Sequence, residues 1–369
     1  MSDEPDTGRQ RVEGEPGFHL AHRSPLTAHR LRIVMMGTGT FAEPTFEALL
    51  AAKENVVGLV TQPERDTGRK GGSTRQTGKG MAQIAREAGV STAHPESINT
   101  PEGLAQLTAF APDLLVVAAY GQILSRDVIA APRLGAINVH ASLLPKYRGA
   151  SPVAHAILSG ETRTGVTIIR ITPGLDAGEM LAREALDILP DETTGELEAR
   201  LAPLGARLAL DVVQRMKAGP VTGEKQDPSQ VTKAPKLKKE HGLIDWSQPA
   251  KVVADHIRAM QPWPTAYTFL HRPGKEPMRV IITKAHGSGW HSSKMPPLPG
   301  TIMRRDLSAL GTPEVPGDVF VHLLVQAADN TFVTVSGLQP AGKKRMSAAE
   351  FLRGYPFQYG FRFGPERLP

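Results

Sequence analysis

Asn138 and His140 stand two residues apart at the end of an apolar run, Leu134 to Val139. The turn Ser142-Leu143-Leu144-Pro145 and the basic, glycine-containing loop Lys146-Tyr147-Arg148-Gly149 follow. Residues i and i+2 of an extended strand share a face, so an uncharged amide donor sits beside a ring that binds or releases a proton near neutral pH. Taken alone, the pair reads more simply as a turn-capping asparagine and a satisfied histidine. A third group changes that. Gly174-Leu175-Asp176-Ala177-Gly178 separates two β-like runs, Gly165 to Ile171 and Glu179 to Ile188, and its glycines predict a tight connection that presents Asp176 on a short loop. If these strands neighbour the Asn138 strand, the carboxylate faces the imidazole, orients it and favours its protonated form. Such a set stabilises a developing oxyanion and moves a proton. The chain has no cysteine, and Ser142 lacks the small neighbours of a nucleophile elbow. Acyl transfer by direct attack of an amine suits these groups, and with no metal-ligand spacing around them no metal is expected.

The elements that must position this set read as repeated βα units. Leu31 to Met36 is a short apolar run closed by Gly37-Thr38-Gly39-Thr40, with helical spacing from Phe41 to Ala52. Val56 to Thr61 and Leu114 to Ala119 read as further strands, and Lys79 to Ala88, Pro101 to Phe110 and Gln122 to Ala130 as helices. A helix over Thr193 to Lys217, opened by a Thr193/Glu196 capping box, closes the series. The fold class expected is α/β, a doubly wound, mostly parallel, Rossmann-like sheet with its site at the carboxyl ends of the strands. Gly37-x-Gly39 invites a dinucleotide reading, with Ala42 at the third position of the fingerprint. Because the next strand ends in Thr61-Gln62-Pro63 without an acid for a ribose, a nucleotide-free relative is preferred.

Domain organisation follows from composition. Residues 1–30 mix both charges with chain breakers and contain no apolar signal core, so they read as a disordered extension. Residues 31–218 form the catalytic domain and the Gly/Pro-rich stretch 219–235 a linker. A helix at Ala250 to Met260 and β-like runs at Ala266 to Leu270, Met278 to Ala285, Val319 to Gln326 and Phe332 to Leu338 place a small OB-like β-barrel at 236–354, leaving 355–369 as a tail.

The 369 residues carry a net charge of +6, which permits a polyanionic partner without requiring one. Its distribution is more specific. The loop from Gln62 to Gly80 holds Arg65, Arg69, Lys70, Arg75 and Lys79 against Glu64 and Asp66, on the rim where a parallel sheet would put the site. Lys233, Lys236, Lys238 and Lys239 enter the barrel and Lys343, Lys344 and Arg345 leave it, outlining a path for a nucleic-acid backbone. No apolar run approaches the ~20 residues that span a bilayer. A cytoplasmic, monomeric enzyme is expected.

From about Leu31 to Gly354 the chain resembles the methionyl-tRNA formyltransferase family. The first-domain motifs are Gly37-Thr38 with Phe41-Ala42, Thr61-Gln62-Pro63, Ala119-Tyr120-Gly121, Asn138-Val139-His140 with the Ser-Leu-Leu-Pro turn and Arg148-Gly149, and the Asp176 loop; they are shared by folate-dependent formyltransferases generally. Ile244-Asp245-Trp246, Pro262-Trp263-Pro264 and Leu338 to Lys344 point to tRNA. The resemblance implies 10-formyltetrahydrofolate as co-substrate and the amino group of methionyl-initiator tRNA as acceptor. It puts Asn138, His140 and Asp176 in catalytic positions and Ser142, Leu143, Leu144 and Pro145 along the folate site. Arg69 would reach the tRNA acceptor end, and Lys70 and Arg75 of the same basic loop, with Lys343 and Lys344, are the further tRNA-binding residues expected. This loop departs from the family's lysine- and proline-containing pattern, continuing Lys70-Gly71-Gly72-Ser73-Thr74-Arg75. Two other readings stay open: a formyltransferase acting on a small amine, such as glycinamide ribonucleotide or a nucleotide-sugar amine, and a non-catalytic RNA-binding protein.

Overall fold

The structure, a computed structural model, describes residues 30–63, 78–291, 298–306, 321–356 and 358–368. The first thirteen elements are β1 (Ile33–Gly37), α1 (Glu43–Ala51), β2 (Val56–Val60), α2 (Met81–Ala88), β3 (Thr92–Ala93), α3 (Pro101–Thr108), β4 (Leu114–Ala118), α4 (Arg126–Ala130), β5 (Ala136–His140), α5 (Pro152–Leu158), β6 (Arg163–Arg170), β7 (Met180–Asp187) and α6 (Thr194–Ala218). The strands form one sheet in the order β3-β2-β1-β4-β5-β6-β7. β1 to β5 are parallel, and β6 and β7 run antiparallel at the end. The mostly parallel, doubly wound class therefore holds.

Strands buried on both faces read as unbroken apolar runs, and these do. Ile33, Met35, Leu114, Val116, Ile137 and Val139 enter one core, while Val34, Met36, Leu115, Val117 and Ala136 enter another. α6 covers the first face so closely that a Cβ on Gly205 would stand 2.6 Å from Val139 Cγ1. Its predicted capping box is present: Thr193 Oγ1 accepts from Glu196 N at 3.3 Å, and the Glu196 carboxylate accepts from Thr193 N at 2.9 Å. α4 starts later than its pattern suggests because the preceding residues tie down the β4 end. Gln122 Oε1 accepts from Ile98 N, the Asn99 side chain holds Ile123 O and Ser125 N, and Ser125 then caps the helix.

Residues 219–235, read as a linker, run as a strap, broken by a short turn at Pro228–Gln230, that is clipped to β7 by the bridge Met180–Glu224 and to the loop after β5 by Arg148–Lys233. Beyond it lie α7 (Ala250–Ala259), β8 (Ala266–Arg272), β9 (Lys275–His291), β10 (Ile302–Asp306), β11 (Val321–Gln326), β12 (Thr331–Pro340), β13 (Met346–Ser347), α8 (Ala348–Gly354) and β14 (Arg362–Gly364). Their antiparallel order is β10-β11-β12-β9-β8-β14. A bridge between Thr301 and Arg362 joins the two edges, so the sheet closes into the expected small barrel.

The expected tail is corrected here, since β14 pairs with β8 and buried Phe363 stacks on Trp246 with ring centroids 5.8 Å apart. Three residues are too few to show a period, and alternation of Phe361 and Phe363 was the only cue. α7 fastens the barrel to the start of α6: Arg258 Nη1 donates to Glu192 O at 3.0 Å and Thr194 Oγ1 to Ala259 O at 2.7 Å. Among the described residues no helix is long and apolar enough to cross a membrane.

Candidate active site

Parallel β1, β2, β4 and β5 end on a common rim. There Thr38 and Thr61 hydroxyls lie 3.4 Å apart, and Gln62 Nε2 donates to Tyr120 O at 2.8 Å, linking the ends of β2 and β4. Tyr120 is buried, which pushes its phenol up to about 12. Asn138 and His140 belong to β5, between β4 and the antiparallel pair. Asn138 is half-buried, and its side-chain amide has no hydrogen-bond partner among the described residues.

His140 is buried, and Nε2–H donates to the Tyr147 carbonyl at 3.0 Å. That bond fixes the ring and directs Nδ1 at Asp176, whose Oδ2 is 3.7 Å away. The gap exceeds a hydrogen bond, so the pairing is electrostatic. Asp176 sits in the β6–β7 connection with φ +45°, and its Oδ2 accepts from Gly149 N at 2.8 Å. A carboxylate facing the imidazole is what the sequence predicted. The protonated resting state is corrected, because burial drives the His140 pKa below its ordinary value and outweighs the opposing pull of Asp176 and the Tyr147 carbonyl. At neutral pH Nδ1 therefore carries a lone pair.

Burial likewise lowers the His256 pKa. For both rings the unfolded chain takes up a proton that the native state refuses, so stability is full above pH ~6.5 and falls on acidification below it, by up to ~1.4 kcal/mol per pH unit for each ring. Urea melts at pH 7 and pH 5.5 should show this loss, and His256→Gln should shrink it.

The Ser142–Pro145 turn is more inward than expected. Ser142, Leu144 and Pro145 are buried, with Ser142 Oγ donating to Lys146 O at 2.7 Å and Leu144 packing on Ile169 and Met180. Their side chains hold the wall of the site up from behind, and only Leu143 is half-exposed. The reason is Thr167, whose hydroxyl donates to Ser142 O and accepts from Leu144 N. Arg69, Lys70 and Arg75 lie outside the described residues. Exposed Lys343 and Lys344 lie in the β12–β13 turn, beside a cleft of about 250 Å³ lined by Arg279, Ile281 and Gln339 to Gly342.

Sequence reasoning missed the residues that hold the site from outside the sheet. Thr232 Oγ1 in the strap accepts from Tyr147 N at 2.8 Å, Glu161 receives the Tyr147 hydroxyl at 2.8 Å, and Gln226 bonds both Arg148 and the Asp176 loop. Nothing local in the sequence marks them, because each acts across long chain separations.

The mixed sheet brings an amide, an imidazole and a carboxylate to one rim, and the family comparison says which class of enzyme carries them. Residues 30–213 match the formyl transferase family and 236–356 the formyl transferase C-terminal domain. The chain belongs to the methionyl-tRNA formyltransferase branch of this family and is a formyltransferase. The methionyl-tRNA formyltransferase of Desulfotalea psychrophila is 40% identical over 324 residues, covering 88% of this chain and 93% of its own length. That of Trichlorobacter lovleyi is 39% identical over 338 residues, 91% of this chain and 98% of its own. Among solved structures, the N-formyltransferase from Helicobacter canadensis in complex with folinic acid and dTDP-3-aminofucose aligns with a TM-score of 0.57 at 16% identity, over 83% of this chain and 98% of that one. HypX from Aquifex aeolicus in complex with tetrahydrofolic acid aligns with a TM-score of 0.53 at 14% identity, over 90% and 50%. These distant likenesses speak for the fold.

Proposed function

We propose that the chain moves the formyl group of 10-formyltetrahydrofolate onto the amino group of methionyl-initiator tRNA in the cytoplasm, for translation initiation. The observation that carries the chemistry is the convergence of Asn138, His140 and Asp176 at one rim, with Nδ1 of a buried imidazole facing the carboxylate at 3.7 Å. The neutral amine attacks the formyl carbon held by folate N10 and forms a C–N bond. Asn138 donates its amide to the oxyanion. The proton shed by the amine passes to the Asp176–His140 pair, where an imidazolium would be held between the Asp176 carboxylate at Nδ1 and the Tyr147 carbonyl at Nε2. Collapse breaks the bond from formyl carbon to N10, and the pair returns the proton to N10. Leu143 faces the folate, on a wall that Ser142, Leu144 and Pro145 support.

For tRNA, the support is the closed basic barrel joined to the catalytic sheet. Lys343 and Lys344 neutralise backbone phosphates in this reading, and Arg69, Lys70 and Arg75 serve the acceptor end. Lys343→Ala with Lys344→Ala should raise KM for charged tRNA and reduce the slope of log affinity against log salt by about 2, leaving KM for formyl-folate unchanged. An unaltered slope would remove these lysines from the interface.

One assay tests the acceptor: charged initiator tRNA and a small amine, such as glycinamide ribonucleotide, offered together with formyl-folate. Formylation of the tRNA alone is expected. Preference for the small amine would select the alternative reading.

A further inference from the structure

Gln226 lies in the strap, and both ends of its amide are in use. Oε1 accepts from Arg148 Nε at 3.0 Å and Nη2 at 2.7 Å, while Nε2 donates to Asp176 O at 2.7 Å and Gly178 O at 2.8 Å. A primary amide is the side-chain end that offers an acceptor and two donors together without charge. One of the carbonyls it holds belongs to the very residue whose φ is +45°, a conformation that a non-glycine residue keeps only when its surroundings enforce it. The circuit then closes on itself. Arg148 is bonded to Gln226, Gln226 to the Asp176 backbone, the Asp176 carboxylate to Gly149 N at 2.8 Å, and Gly149 follows Arg148 in the chain.

We infer that Gln226 is a positioning residue for formyl transfer: from outside the sheet it locks the Asp176 loop to the Arg148-Gly149 backbone, so that the carboxylate stands against His140. The inference rests on the reading of Asp176 and His140 as the proton-handling pair. Gly149 makes the arrangement tight, since its φ is +126° and a Cβ there would lie 2.5 Å from Ala234 O, in the same strap. The strap is thus a structural part of the site, although it contributes no side chain to the reacting atoms.

Two variants separate this role from general support. Gln226→Ala removes every bond, whereas Gln226→Glu keeps the acceptor for Arg148 and loses, when ionised, the donors to the two carbonyls. Both are expected to lower kcat by about tenfold to a hundredfold, the effect of misplacing a reacting group by about an ångström, with each KM within about threefold of wild type. Rescue by Gln226→Glu would assign the residue to Arg148 alone and overturn the inference. A second reading needs no substrate: exchange of the Gly149 amide hydrogen, protected by the Asp176 carboxylate, should quicken at least about tenfold in both variants. Unchanged exchange would overturn the positioning role, whatever the assay gives. Failure of the wild-type protein to formylate charged tRNA would instead sink the functional reading, and the exchange measurement would still decide where Gln226 holds Asp176.

Discussion

Asn138→Ala is expected to lower the single-turnover rate of formyl transfer by roughly a hundredfold to a thousandfold, with KM for either substrate little changed. The neutral amide is half-buried on β5 with no bond among the described residues to break, so the substitution removes a donor without leaving a partner orphaned. A stability cost is therefore small, and the loss falls on the transition state, where charge gathers on the formyl oxygen. An uncharged donor in a fixed place gains strength as that charge forms, whereas water would have to reorient. If Asn138 merely shaped the pocket, KM would rise and the rate at saturation would survive.

Asp176→Asn is expected to lower kcat by about a hundredfold to ten-thousandfold. Asparagine keeps an oxygen for Gly149 N–H and so preserves the loop, but it cannot take up the proton that the attacking amine sheds. It also withdraws the charge that opposes burial at His140. In the wild type the rate should hold down to a pH below the ordinary imidazole value near 6.5 and then fall, because the neutral ring is the competent form and burial keeps it neutral. The residual activity of Asp176→Asn should lose its acid limb to still lower pH. A pH–rate profile of the two proteins checks the sign, and a shift of that limb upward would contradict it.

Much of this site was legible in the chain because its information is local. Asn138 and His140 announce themselves by spacing on a strand, and Asp176 by the glycines around it. Their adjacency depended on β6 pairing with β5 and β7 with β6, which two neighbouring β-like runs suggested. The resting state of His140 was misread because charge proximity is visible in a sequence and depth of burial is not. The Ser142–Pro145 turn was found but its direction was not, since Thr167, which turns it inward, sits on another strand. β14 escaped by brevity. Gln226 and Thr232 escaped because a linker composition hides two side chains that act across the sheet.

The account depends on His140 and Asp176 working as a unit, and a double-mutant cycle in single-turnover formylation of charged initiator tRNA tests that most directly. His140→Ala, Asp176→Ala and the double variant should all be slow, and the double should be no slower than the worse single by more than about threefold, because either loss already disables the shared proton path. Losses that multiply in the double variant, or single variants that keep near-native rates, would contradict it.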